Sequence, residues 1–126
     1  KLTVHTKGPI IGIWDKVRLE QVVTNLISNA IKYGKNHPVE VSAYSESGMA
    51  CLKVQDHGNG ISDEDQKRIF HRFERAESTR NIGGLGLGLY IVKQIVDGHG
   101  GTISVESSRN QGATFVVKLP KNHESI

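Results

Sequence analysis

Cysteine is all but missing from these 126 residues. Cys51 stands alone and cannot form an internal disulfide, which suits a reducing, cytoplasmic setting whether or not a longer parent is membrane-anchored. Long apolar runs are absent, so no contact with a membrane is expected, and no secretory leader is read at the start. An excess of one charge is lacking as well. Lys and Arg total 16 against 13 Asp and Glu, a net +3 spread along the chain, which does not indicate a nucleic-acid partner. The histidines, His5, His37, His57, His71, His99 and His123, stand singly, without the i, i+4 or Cys-x-x-Cys spacing that a zinc site needs.

What is present is ordinary for one globular domain. Hydrophobic residues at 37% and charged residues at 23% exclude collagen-like, coiled-coil and fully disordered chains. A chain of this size buries roughly two-thirds of its unfolded surface, enough for one core. The unusual residue is glycine. Of 14, nine (58, 60, 83, 84, 86, 88, 98, 100 and 101) fall in one stretch, a concentration that lets backbone approach a ligand closely.

Leu2 to Thr6 alternates as a strand that ends before Pro9. Asp15 is suited to cap a helix over Arg18 to Tyr33, closed by Gly34, with Leu19, Val22, Val23, Leu26, Ile27 and Ala30 on one apolar arc. Val39 to Tyr44 and Ala50 to Asp56 read as a hairpin turning near Ser47-Gly48. Ser62 starts a short helix reaching Phe70, residues 74–85 form a polar mobile loop, and Leu87 to Val96 is an amphipathic helix stopped by Gly100-Gly101. Strands Thr102 to Glu106 and Ala113 to Leu119 follow, before a polar tail over 121–126. This order predicts an α+β two-layer sandwich, with one mixed, mostly antiparallel sheet covered on one face by about three helices. No repeat or linker divides residues 1–120.

Three constellations carry chemistry. Asn25, Asn29 and Lys32 share one stripe of the long helix, where amide oxygens suit a hard cation and an ammonium suits a phosphate; a solvated polar face is the plainer account. Asp56 is in phase with Leu52 and Val54, so its carboxylate aims at the covered face and needs a partner there; a simple Asp-Gly turn is the alternative. Gly84-Leu85-Gly86-Leu87-Gly88 leads into a helix whose N–H groups can receive a polyphosphate. Neither a G-x-G-x-x-G after a strand nor a P-loop is present, and Asn29-Ala30-Ile31-Lys32 is on a helix, which excludes Rossmann, P-loop and eukaryotic-type kinase folds.

In order, these elements resemble the motifs of the GHKL superfamily, which takes in gyrase, heat-shock chaperones, histidine kinases and mismatch-repair ATPases. Asn25 to Tyr33 resembles the N box of sensor histidine kinases, and Asp56-x-Gly58-x-Gly60 their first glycine box. Ile69 to Arg75 is similar to the F box, Gly84 to Leu89 to the second glycine box, and Gly112-Ala113-Thr114-Phe115 to the closing glycine-Thr-Phe element. The resemblance covers nearly the whole chain. It points to the catalytic and ATP-binding domain of a histidine kinase, in the Bergerat ATP-binding fold.

The resemblance implies roles residue by residue. Asp56 would accept the adenine amino group, setting base specificity, and Gly58, Gly60, Ile61 and Thr114 would be further nucleotide-binding positions. Asn29 would hold Mg²⁺, with Asn25 beside it, Lys32 on the phosphates and Tyr33 flanking the nucleotide. Residues 74–85 would be the ATP lid, with Gly84, Leu85, Gly86, Leu87 and Gly88 along the phosphates. Arg72 or Arg75 would approach the γ-phosphate, or pair with Glu74 or Glu77. Phe70 and Phe73 would anchor the lid or a partner helix, or simply pack in the core.

The expected activity is binding of Mg-ATP and transfer of its γ-phosphoryl group to a histidine on a separate dimerisation and phosphoacceptor domain, feeding a response regulator receiver. None of the six histidines has an acceptor's context, so that domain is expected to be absent, and the isolated domain monomeric. Three rivals stand beside this. A hydrolytic GHKL ATPase carries a glutamate where Asn25 stands; a free-standing serine kinase of the anti-sigma-factor type is of similar length; a nucleotide sensor would lack catalysis.

Overall fold

The computed structural model describes residues 2–6, 14–34, 37–67, 69–70, 88–107 and 111–121. In chain order these form β1 (Leu2–Thr6), α1 (Lys16–Tyr33), β2 (Val39–Glu46), β3 (Met49–Gln55), α2 (Asp63–Gln66), α3 (Gly88–Gly98), β4 (Thr102–Ser107) and β5 (Ala113–Pro120). The five strands make one sheet in the order β1-β2-β3-β5-β4. Only β1 and β2 run parallel; the other pairs are antiparallel, as the mixed sheet expected from the sequence requires.

Alternation along the strands divides the sheet into two faces. Val39, Val41, Val54, Phe115 and Val117 look one way and are buried beneath Val22, Leu26 and Ala30 of α1 and Val92 and Val96 of α3. The apolar arc read from the sequence is that inner stripe of α1. Asp15 caps α1 through Oδ1, which accepts from Arg18 N–H at 3.1 Å, so the helix begins two residues before the start expected at Arg18.

Helix α3 runs on to Gly98 and closes with paired bonds from Gly100 N–H to Asp97 O and Gly101 N–H to Val96 O, both 3.0 Å. The imidazole of His99 then spans the two helices, accepting from Asp15 N–H at 3.1 Å through Nε2, with Nδ1 2.9 Å from Ile95 O. Helix α2 is shorter than expected. It ends at Gln66, capped by Lys67, rather than at Phe70. Leaving the helix turns both Ile69 and Phe70 inward, and Phe70 meets Phe115 edge-on at 6.1 Å. Core packing therefore accounts for Phe70; Phe73 lies outside the described residues.

Candidate functional site

The covered face of the sheet is apolar until β3 runs out, and there the pattern delivers a carboxylate. Asp56 continues the phase of Val54 and is only 6% exposed. Its backbone N–H donates to Ala113 O at 2.9 Å, setting it opposite the first residue of β5. Its Oδ1 accepts from Gly58 N–H at 3.0 Å and Ala113 N–H at 3.2 Å. Among the described residues no donor reaches Oδ2, and no described side-chain polar atom is both enclosed and unpartnered. Oδ2 is thus an open acceptor at the mouth of an otherwise apolar layer.

Burial pushes the Asp56 carboxyl above the ordinary carboxylate range, while the bonds from Gly58 and Ala113 and the nearby His57 pull it back. His57 itself is turned away, with Nε2 3.0 Å from Glu40 Oε1 on β2.

Two glycines make this arrangement possible. Gly112 has φ +79°, and a Cβ there would collide with the Asp56 carbonyl oxygen and lie 2.8 Å from His57 Cα, so only glycine lets β5 start this close to the loop. Gly60, at φ +78°, turns the loop back toward Ile61. From the other side the end of α1 closes in: a Cβ on Gly34 would sit 3.5 Å from Asp56 Cβ.

The polar stripe of α1 rises from that point. Asn29 and Asn25 are half-buried and Lys32 is exposed. Asn25 Nδ2 donates to Gly88 O at 3.4 Å, a long bond that brings the middle of α1 to the start of α3. Among the described residues the Asn29 side chain has no hydrogen-bond partner, so its amide oxygen is available to a cation. Asp56 with Gly58 thus lies by the end of α1, and Asn25 by Gly88 at the start of α3, with Asn29 and Lys32 on the same stripe of α1.

Thr114 does not join them. It pairs with Gln55 on the open face of the sheet, while Ala113, one residue earlier, faces Asp56. Strand alternation puts neighbours on opposite faces, so Ala113 rather than Thr114 shares the covered face with Asp56. Arg72, Arg75, Gly84, Leu85, Gly86, Leu87 and the Tyr33 side chain lie outside the described residues.

Sequence reasoning missed two participants, Ser107 and Gln66. Ser107 Oγ accepts from Ile61 N–H at 2.7 Å, and Gln66 Nε2 donates to Ile61 O at 2.8 Å. Nothing in the sequence marks Ser107, since its partner is 46 residues away.

Chemically, an open carboxylate near one helix end and the start of another helix are joined by a stripe of amides and an ammonium. That suits a ligand with an amine at one end and anions at the other.

Known proteins share this sequence pattern and fold. Residues 14–123 match the family described as histidine kinase-, DNA gyrase B- and HSP90-like ATPase. The sensor protein SrrB of Staphylococcus aureus (strain MRSA252) is 40% identical over 114 residues, 88% of this chain and 20% of SrrB. The chain therefore spans about a fifth of that curated relative. Among solved structures, the mycobacterial sensor histidine kinase MprB superposes with TM-score 0.86 at 32% identity, covering 98% of this chain and 85% of that one. Full-length ShkA, solved in complex with AMPPNP, gives TM-score 0.85 at 27% identity, over 100% of this chain and 26% of that one.

Proposed function

Because this chain belongs to the histidine kinase-, DNA gyrase B- and HSP90-like ATPase family, with the fold of histidine kinase catalytic domains, we propose that its site binds Mg-ATP and donates the γ-phosphoryl group to a histidine on a separate acceptor domain. The observation that carries this is Asp56. A buried carboxylate with one oxygen saturated by two backbone N–H groups and the other open is an acceptor of fixed direction, matched to the exocyclic amine of adenine.

Phosphoryl transfer asks the protein mainly to position the reactants and neutralise charge. Asn29 would hold Mg²⁺ through an amide that has no hydrogen-bond partner among the described residues, Asn25 stands beside it toward the start of α3, and Lys32, in the last turn of α1, would extend its long side chain to the phosphates. The ion would supply charge neutralisation on the phosphate oxygens. The start of α3 at Gly88 offers N–H groups to the same anions. The acceptor imidazole brings its own lone pair: its nitrogen bonds to the γ-phosphorus as the bridging bond to the β-phosphate breaks, ADP leaves, and the imidazole proton passes to solvent. An amide takes no proton, so Asn25 gives water no base for hydrolysis. A response regulator receiver would take the phosphoryl group next.

Calorimetric titration with ATP and GTP tests the base assignment. ATP should bind at least about tenfold more tightly, because guanine sets a carbonyl against Oδ2 and leaves a buried charge unpaired. Equal affinities would remove Asp56 from the adenine role.

A further inference from the structure

We infer that Ser107 and Gln66 are positioning residues for nucleotide binding: from β4 and α2 they hold both backbone polar groups of Ile61 and tie that end of the glycine loop to Gly112. The inference rests on the adenine reading of Asp56 and names what keeps that site in shape.

The bonds form a directed chain. Ile61 N–H donates to Ser107 Oγ at 2.7 Å, and Ser107 Oγ–H donates to Gly112 O at 2.6 Å. An amide N–H can only donate and a carbonyl can only accept, so the hydroxyl proton is fixed toward Gly112. Gln66 Nε2 donates to Ile61 O at 2.8 Å and to Ser107 O at 3.1 Å, closing the chain from the other side. Ile61 is therefore pinned through both its N–H and its C=O, while its side chain packs on the core.

The consequence reaches Asp56 through the next residue. Gly112 precedes Ala113, whose N–H lies 3.2 Å from Asp56 Oδ1. The loop from Asp56 to Ile61 is thus anchored at both ends to the β4–β5 connection, one end by Ala113 and the other by Ser107. Neither Ser107 nor Gln66 is bonded to Asp56; they act by keeping Gly112 and Ile61 where a base would dock. A loop held before the ligand arrives loses less freedom on binding.

Ser107→Ala leaves Ile61 N–H and Gly112 C=O without their partner and frees Gly112 to drift. The Ala113 bond favours the ionised carboxylate, so weakening it should move the acid limb of ADP binding to higher pH. A purely structural role would lower the melting temperature and leave that limb in place.

ADP titrations of the whole chain across the acidic to neutral range, with melting curves alongside, provide the test. Ser107→Ala is expected to bind ADP about tenfold more weakly, with the acid limb displaced upward. Ser107→Thr, which keeps the hydroxyl, should restore both affinity and limb. Gln66→Glu offers a second variant, since its carboxylate would face two carbonyls, and it should weaken ADP at neutral pH while the chain stays folded. If folded Ser107→Ala and Gln66→Glu chains bind ADP like the wild type, or if Ser107→Ala binds weakly with an unmoved limb, the inference is overturned. A wild-type chain that takes up no ADP overturns the adenine reading itself, and this inference with it.

Discussion

Asp56→Asn should weaken ADP binding about 100-fold without lowering the melting temperature of the free chain at neutral pH. The two N–H groups of Gly58 and Ala113 can bond only to an oxygen, so they pin the Asn carbonyl where Oδ1 now sits. The amide nitrogen is then forced into the Oδ2 position, donor against donor with the adenine amine. Loss of affinity follows from a reversed contact as well as from a missing charge.

The free chain should respond in the opposite sense. The folded carboxyl is held above its unfolded value by burial, so its contribution to stability is present in acid and lost as pH rises toward the raised value. At neutral pH the buried charge is a cost that the Asn variant escapes while keeping both backbone bonds. Melting curves should show the variant equal to or above the wild type at neutral pH, with the difference vanishing in acid. A variant that melts well below the wild type at neutral pH would mean that the charge stabilises the fold.

Asn29→Ala should reduce phosphoryl transfer about 100-fold or more, while ADP measured without Mg²⁺ binds within a few-fold of the wild type. Asn29 shares a face of α1 with Asn25 and Lys32 but makes no bond to the described residues. Its removal therefore breaks no side-chain hydrogen bond among the described residues and should leave the melting temperature nearly unchanged. Single-turnover transfer to a supplied acceptor domain, with metal and nucleotide titrated separately, measures the split. Normal transfer by the Ala variant would exclude Asn29 as the Mg²⁺ ligand.

Much of this site could be read from neighbours in sequence. The 3.6-residue spacing from Leu19 to Ala30 located the buried side of α1 and so the rim that carries Asn25 and Asn29. Alternation from Leu52 through Val54 aimed Asp56 inward, and its 6% exposure follows from that phase. Phase also decides which residue after Gly112 faces Asp56. The motif around Gly112 matches whether Ala113 or Thr114 faces the site; the choice depends on where β5 begins, and the positive φ of Gly112 starts the strand at Ala113.

What could not be read was set by contacts between distant segments. The placement of β5 between β3 and β4 brings Ser107 beside Ile61, and no local pattern encodes that meeting. The short α2 is a similar case. Its helical propensity continues past Gln66, but burial of Ile69 in the core and the contact of Phe70 with Phe115 override it.

The most direct test of phosphoryl donation uses γ-labelled ATP and Mg²⁺ with the chain alone and with an added helical hairpin bearing an acceptor histidine. The site described here should bind ATP yet leave its own histidines unlabelled, and should label the added hairpin with a phosphoramidate that is labile in acid and stable in base. Label on a histidine of the chain itself, acid-stable label on a serine, or inorganic phosphate released while the hairpin stays unlabelled would contradict it.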